Sequence, residues 1–412
     1  MDINSRYFIS LLSTFVKDTV PVKPGCMAES SGKGGTGQQD VDWEKIYKLA
    51  SIHSMGGAVY LAIQKLDEAD KPDISIINKF KSDFFYTTYR CEEQEKAYRE
   101  IVELFNKEKI AHLFFKGIVI RDYYPVKQMR TQGDIDFLVH REDQEKVRNI
   151  FTRLGYRNIS TKWHEKYRKG KIIFESHDKL INNDINSKVD YVGYFGNAWQ
   201  YAKPKENSYT FELDINYHLV FLIVHIAKHF YEKGAGVRLI LDIAVMLEKL
   251  GEELDFQQIW RHLENIKLDL FAKNILALCE RWFGVKTPGM QHNMDELTYI
   301  SMSKYILEGG TFGYSNNNIA ISALRKEYSK TKSSKNIKFK ALMRKIFLDF
   351  DMMREKYPIL KKHPYLLGFA WIHRAFKCLT VTRERTFRIL RGLRECSEEG
   401  QNAYIMMKKI GL

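Results

Sequence analysis

Cysteine is scarce and unpatterned in this chain of 412 residues: Cys26, Cys91, Cys279, Cys378 and Cys396 are the only five. An odd number without Cys-x-x-Cys spacing argues against a disulfide framework or a structural zinc site, and it fits a reducing cytoplasm. Long apolar runs are also missing. No stretch approaches the ~18–20 residues that a membrane span requires, and residues 1–19 lack the basic start, apolar core and small-residue cleavage site of a secretion signal. No membrane partner is expected. Two familiar motifs are incomplete. Gly32-Lys33-Gly34-Gly35-Thr36-Gly37 would need a lysine and then Ser or Thr to cradle a phosphate, but Gln38 and Gln39 follow, with no apolar strand before the loop. His225 and His229 share a helix face, yet Ile226 stands where a zinc hydrolase carries its glutamate.

Acidic residues are locally depleted. Residues 325–394 hold 20 Lys and Arg against 5 acids, a net of +15 that accounts for the formal +14 of the whole chain. Phe339, Phe347, Tyr357, Trp371 and Phe387 are interleaved with these cations. Such a composition suits nucleic acid, through phosphate neutralisation and base stacking, or an anionic substrate such as a nucleoside triphosphate. It also suits amphipathic helices with solvated basic faces.

The chemistry concentrates in Gly133-Asp134-Ile135-Asp136-Phe137-Leu138-Val139. Residues i and i+2 of a strand face the same way, roughly 6–7 Å apart. Two carboxylates facing one way from a half-buried strand repel one another and lose hydration, unless a cation lies between them. A divalent metal that also holds phosphate oxygens would supply it. Upstream, Ala111-His112-Leu113-Phe114-Phe115 reads as a strand ending in Lys116-Gly117, where glycine lets a backbone approach a phosphate closely. One or two helical turns over 118–124, Pro125 and Arg130 precede the Asp-x-Asp strand. Residues 141–154 read as an amphipathic helix, with Val147, Ile150, Phe151 and Leu154 on one side and Gly155 to stop it. Lys171-Ile172-Ile173-Phe174-Glu175-Ser176-His177 is a further strand carrying a third acid.

At Lys116-Gly117, Tyr123-Tyr124-Pro125, Arg130, Gly133-Asp134-Ile135-Asp136 and Phe174-Glu175-Ser176-His177 the chain resembles a bacterial uncharacterised nucleotidyltransferase family of the DNA polymerase β superfamily. The likeness extends to residues 42–50, to His225-Ile226-Ala227-Lys228-His229 with Arg238 and Asp242, and to residues 357–362. It implies that Asp134, Asp136 and Glu175 are the catalytic carboxylates and the ligands of Mg²⁺ (or Mn²⁺). Lys116, Gly117, Arg130 and Gly133 would lie against the triphosphate of an NTP, most simply ATP. Ile118 departs from the Ser or Gly that usually follows the superfamily's turn glycine.

The implied fold is α+β. A small mixed-sheet core over 110–190 is flanked by an N-terminal helical region over 1–109, with a polar loop at 20–40, and by a helical C-terminal region over 191–412, basic from 325. Helices are expected at 5–16, through 42–109 (with an exposed charged face over 91–108), at 213–230, 238–250, 256–283, 294–307, 341–357 and 371–393, with a loop at 309–318. His218, His225 and His229 are either buried and bonded to Asp242 or to backbone, or they belong to a helix facing the metal core, where His229, Lys228 or Arg238 would touch nucleotide or acceptor. His177 shares a strand face with Glu175 and would assist it. The reaction expected is nucleotidyl transfer to a hydroxyl of an unknown small-molecule or protein acceptor, with Glu175 as metal ligand or general base. The alternatives are a catalytically degenerate nucleotide- or RNA-binding protein and an interaction protein.

Overall fold

The apolar runs on either side of the Asp-x-Asp motif become the middle of one sheet. The computed structural model describes residues 1–22, 41–159, 165–181, 185, 189–232, 234–310, 323–325, 327–328, 336–381, 383–384, 386–387, 391 and 397–412. The glycine-rich motif at 32–37, most of the loop expected at 20–40 and of that at 309–318, Cys26 and Cys396 lie outside them, as does much of 382–393. Among the described residues seven strands form: β1 (His112–Phe115), β2 (Ile135–Val139), β3 (Arg157–Asn158), β4 (Glu165–Lys169), β5 (Ile172–His177), β6 (Ala202–Pro204) and β7 (Thr210–Leu213). Their order is β3-β4-β5-β2-β1-β7-β6. The sheet is mixed: β2 runs antiparallel to β1 and parallel to β5, and β7 runs parallel to β1. β1 and β2 are buried along their whole length, which is why both read as near-continuous apolar runs.

Strand alternation gives the sheet two different faces. Phe114, Ile135, Phe137, Val139, Tyr167 and Phe174 turn one way, onto the end of α4 (Ile74–Lys107) and onto α6 (Gln144–Arg153). There Phe151 stacks on Tyr167 with ring centroids 4.2 Å apart and planes within 3°. Each such aromatic contributes about 1.5–3 kcal/mol by leaving water. Leu113, Phe115 and Leu138 turn the other way, into the larger core shared with the C-terminal helices. Between α4 and α6 lie α5 (Gly117–Ile120) and 3₁₀ turns at Arg121–Tyr123 and Lys127–Met129. Gly155 stops the α6 segment with φ +77°.

The N-terminal helices α1 (Ile3–Lys17), α2 (Trp43–Ile52) and α3 (Gly56–Gln64) precede α4. Asp2 and Asp42 cap α1 and α2 by accepting from backbone amides one turn on. After the short helix α7 (Tyr191–Tyr194) and strands β6 and β7 come α8 (Ile215–Glu232), α9 (Val237–Leu250), α10 (Phe256–Asn265), α11 (Asp269–Phe283) and α12 (Glu296–Gly309). α8 is apolar nearly all round and accordingly buried. Helices at Ile337–Ile346, Phe350–Lys356, Leu367–Leu379 and Ser397–Lys409 follow. Among the described residues, no helix is long and apolar enough to cross a membrane.

This is a small mixed sheet flanked by N-terminal helices and a larger helical C-terminal region, the polymerase-β-like arrangement anticipated above. Three details differ. The sheet does not stop near 190, because β6 and β7 extend it to Leu213; both are short and partly polar, so alternation does not announce them. The helix expected over 256–283 divides into α10 and α11 around Lys267, whose φ of +54° cannot continue a right-handed helix. The helix expected over 341–357 is likewise two, ending at Ile346 and restarting at Phe350, where Asp349 accepts from the Met352 amide.

Candidate active site

Strand register builds this site. On β2, Asp136 sits opposite Phe115 of β1 and opposite Glu175 of β5, so its neighbour on the parallel side is the third acid. Two residues along β5, His177 returns to the same face, and its Nε2 lies 2.9 Å from Asp136 Oδ1 and 3.7 Å from Glu175 Oε1. Asp134 stands two residues before Asp136, at the entry to β2. On the far side of β5, Lys166 of β4 faces Glu175 in register. The face that carries Phe115 and Leu138 into the core thus ends in a group of acids bordered by cations. Phe115 seals its base: its ring meets His177 at 5.3 Å and Phe221 of α8 at 5.6 Å between centroids.

Burial raises the cost of every charge here, and the cations decide which acids stay ionised. For Asp136, burial pushes the carboxyl up, but Lys116, with Nζ 2.8 Å from Oδ1, and then His177 outweigh it and hold it far below the usual carboxylate range. Glu175 is also pushed up by burial and by Asp136, yet its hydrogen bond from Lys166 and the charge of His177 bring it below its ordinary value. Asp134 lacks a cation that close: Lys166 Nζ is 3.8 Å from its Oδ2. Its side chain is 42% exposed, and desolvation of the remainder with repulsion from Asp136, only partly offset by Lys116, moves the carboxyl upward. Asp136, Glu175 and His177 are all buried and each offers one ligand atom, the three lying within 4.8 Å of one another. Two hard carboxylate oxygens and an imidazole nitrogen this close fit a divalent cation. This is a nucleotidyltransferase-type cluster consistent with metal-dependent catalysis.

Lys116 reaches Asp136 from an unusual backbone. It ends β1 and precedes α5 with φ +60° and ψ −134°, a conformation that costs an L-residue about 1–3 kcal/mol and persists where its surroundings over-determine it. The strained turn sends the chain from strand into helix within one residue while Nζ points back at the acids. Gly117 follows in close quarters: a Cβ there would meet Gln132 Oε1 at 2.5 Å and Arg130 Nη1 at 3.0 Å. Around this turn opens a cleft of about 220 Å³, lined by Lys116, Gly117, Arg130, Gln132, Gly133, Asp134, Asp136 and Glu175 and, across from them, by His225, Ile226 and His229 of α8 and Arg238 and Asp242 of α9.

All seven residues singled out from the sequence therefore meet in one cleft, but Arg130 is tied elsewhere. Its Nε and Nη2 donate to the two oxygens of Asp242 at 2.8 and 2.7 Å, and its Nη1 donates to the Thr131 carbonyl. Tyr124 donates to Asp242 as well, at 2.7 Å. The guanidinium anticipated against a triphosphate is thus the centre of a buried clamp joining the 124–131 segment to α9. Asp242 is occupied by Arg130 and Tyr124, and His225 and His229 instead face the cleft with ring centroids 4.6 Å apart. Burial, His229 and Lys116 hold the His225 imidazole well below its ordinary range. Lys166 went unnoticed in the sequence, because the surrounding Glu165-Lys166-Tyr167-Arg168-Lys169 has too few apolar positions to betray a strand.

A scan of protein families matches residues 39–284 to the family described as "Uncharacterised nucleotidyltransferase". The match covers well over half of the chain, including the whole sheet, the cleft and α8 to α11, and ends before the likeness noted at 357–362. No curated protein matches the chain, and no solved structure does. The Asp-x-Asp strand, the paired Glu175 and the family match agree: the chain belongs to this nucleotidyltransferase family, within the polymerase-β nucleotidyltransferase superfamily.

Proposed function

We propose that this cleft transfers a nucleoside monophosphate from an NTP, ATP being the first candidate, to a hydroxyl of a small-molecule or protein acceptor, releasing pyrophosphate. The observation that carries the reading is the pairing of Asp136 with Glu175 on adjoining strands, with Asp134 two residues back and His177 two residues on. A divalent cation held by Asp136 and Glu175, with Asp134 and His177 completing its shell, would supply Lewis-acid charge at the triphosphate and lower the pKa of the attacking hydroxyl. An imidazole among the ligands suits Mn²⁺ better than Mg²⁺.

The protein's own groups then divide the work. Lys116, aimed by its strained backbone, neutralises charge that builds on the leaving pyrophosphate. Gly117 lets the backbone close on phosphate oxygens where a side chain has no room. Lys166, bonded to Glu175, holds that carboxylate ionised before substrate arrives. The acceptor oxygen attacks the α-phosphorus in line, the bond to the β-bridging oxygen breaks, and pyrophosphate leaves with the electron pair. Glu175 receives the hydroxyl proton. Arg130, clamped by Asp242, shapes the wall behind Gly117 rather than gripping phosphate.

A catalytically degenerate nucleotide-binding protein is the second reading. It is favoured by two lysines that already neutralise the acids and by Ile118 after the turn glycine. One experiment separates the two. Melting temperatures are measured with ATP, GTP, CTP or UTP, each with Mg²⁺, Mn²⁺ or EDTA, on wild type and on Asp136→Ala. At ~100 times the dissociation constant a ligand stabilises by about 2.7 kcal/mol. The enzyme reading expects a metal-dependent rise for one nucleotide that the variant loses. A rise of equal size in EDTA would establish the degenerate reading, and no rise with any nucleotide would defeat both.

A further inference from the structure

Outside the lining of the cleft, the segment 356–383 carries a face that the described residues leave uncovered. Tyr365, Phe369, Ile372 and Phe376 follow one another at spacings of four, three and four, along the 3₁₀ turn Pro364–Leu366 and the helix Leu367–Leu379. Their exposures are 75%, 72%, 68% and 66%, and Val381 beyond the helix is 74% exposed. Singly exposed apolar side chains are ordinary; a row of four at helical spacing, with a fifth just past the helix, marks an interaction surface. The opposite side of the same helix is already used. Ala370 is buried with Met353 and Leu360, Leu367 and Trp371 pack against them, and the Trp371 indole donates to the Leu348 carbonyl at 2.9 Å. A helix apolar on both sides buries both, and among the described residues this one buries only the inner side.

Charge decides what covers the outer side. Residues 356–383 contain six Lys and Arg and no acid. Lys361, Lys362, Lys377 and Arg383 are all exposed, so cations stand toward both ends of the apolar row. A second copy of the chain would set this excess of positive charge against itself. A nucleic acid would want the cations along the middle of the surface, and Ile372 and Val381 have no π-face on which a base could stack. Apolar side chains in the centre with Lys and Arg at the border match instead a surface whose outermost layer is anionic and whose next layer is hydrocarbon.

We infer that the outer face of helix Leu367–Leu379 lies on anionic lipid, with Phe369, Ile372 and Phe376 at the headgroup–acyl boundary and the lysines and arginines among the lipid phosphates. The contact is parallel to the membrane plane and spans nothing, so it departs from the expectation of no membrane partner, which rested on the lack of a spanning run. It holds whether or not the cleft transfers nucleotides, and it would bring that cleft to acceptors displayed at a membrane surface.

The test is sedimentation of the 412-residue chain with large vesicles of phosphatidylcholine, alone or with about a third phosphatidylglycerol. Wild type is expected to sediment with the anionic vesicles, hardly with the neutral ones, and less as salt is raised. Phe369→Glu combined with Ile372→Glu is expected to lower partitioning about tenfold or more, whereas Phe369→Leu with Ile372→Leu retains it. Both positions are exposed, so an unchanged melting temperature shows that the variants fold. Absence of binding to anionic vesicles, or a Glu double variant that binds like wild type, would overturn the inference. So would capture of an RNA or DNA oligonucleotide, or dimerisation, that the same variant abolishes while vesicles are ignored.

Discussion

If Arg130 is the core of a clamp, removing Asp242 should damage the fold rather than merely weaken nucleotide binding. The side chains of Arg130 and Asp242 are 6% and 4% exposed, and two parallel hydrogen bonds join them. Asp242→Leu leaves a guanidinium charge in the interior with one carbonyl partner, a loss of about 3–5 kcal/mol for a broken buried pair. The Tyr124 hydroxyl loses its acceptor too, adding about 1–3 kcal/mol. The sum, roughly 4–8 kcal/mol, is a large share of the ~5–15 kcal/mol by which domains are stable. Arg130→Met strands Asp242 by the same logic. Combining Arg130→Met with Asp242→Leu removes both charges and refills the volume with apolar atoms, so the double variant should be more stable than the sum of the single losses by about 2 kcal/mol or more. Urea unfolding of the four proteins closes the cycle. Single variants within about 0.5 kcal/mol of wild type, or losses that simply add, would refute the clamp and return Arg130 to the triphosphate.

Two further outcomes follow from named contacts. Gly117→Ala should cost about 1–3 kcal/mol, because the new methyl meets Arg130 Nη1, which Asp242 and the Thr131 carbonyl hold still; urea unfolding that finds no loss would mean the turn has room to spare. His53 is fully buried, its Nε2 against the Leu307 carbonyl and its Nδ1 accepting from the Val237 amide, an arrangement that only the neutral ring satisfies. Burial lowers it from 6.5 to about 4, so the unfolded chain binds the extra proton; stability is whole above pH 6.5 and falls as pH drops toward 4. Between pH 7.5 and 5 this amounts to about 2 kcal/mol, and the drop measured by urea unfolding should shrink by that much in His53→Gln.

Much of the fold was legible because its buried elements repeat at the period of their structure. β1 and β2 have apolar residues on both faces, α6 shows Val147, Ile150 and Phe151 at helical spacing, and the glycine that stops it adopts the left-handed conformation. The missed strands share one physical cause. β3, β4, β6 and β7 lie toward the sheet's margins, where solvent on one side permits Arg, Lys and Glu at most positions, so periodicity carries no signal. The breaks in the long helical segments rest on single residues such as Lys267, whose positive φ no composition announces.

The site divides along the same line between what lies in one strand and what crosses between elements. Asp134 and Asp136 share a face because strand alternation requires it, and Glu175 within an apolar run could only be a buried acid awaiting a cation. Which cation attends which acid is another matter, since that depends on how elements pack. Arg130 is four residues before Asp134 in sequence, yet its guanidinium is committed to Asp242, 112 residues away on α9. Lys166, in a polar strand with no motif, is bonded to Glu175 through register alone. Proximity in sequence to an acidic motif therefore does not identify the charge that serves it. Of the cations so placed, Lys116, aimed by a strained turn, lines the cleft, and Lys166, aimed by a neighbouring strand, holds Glu175 from outside its lining, while Arg130 keeps the wall toward the helices in place.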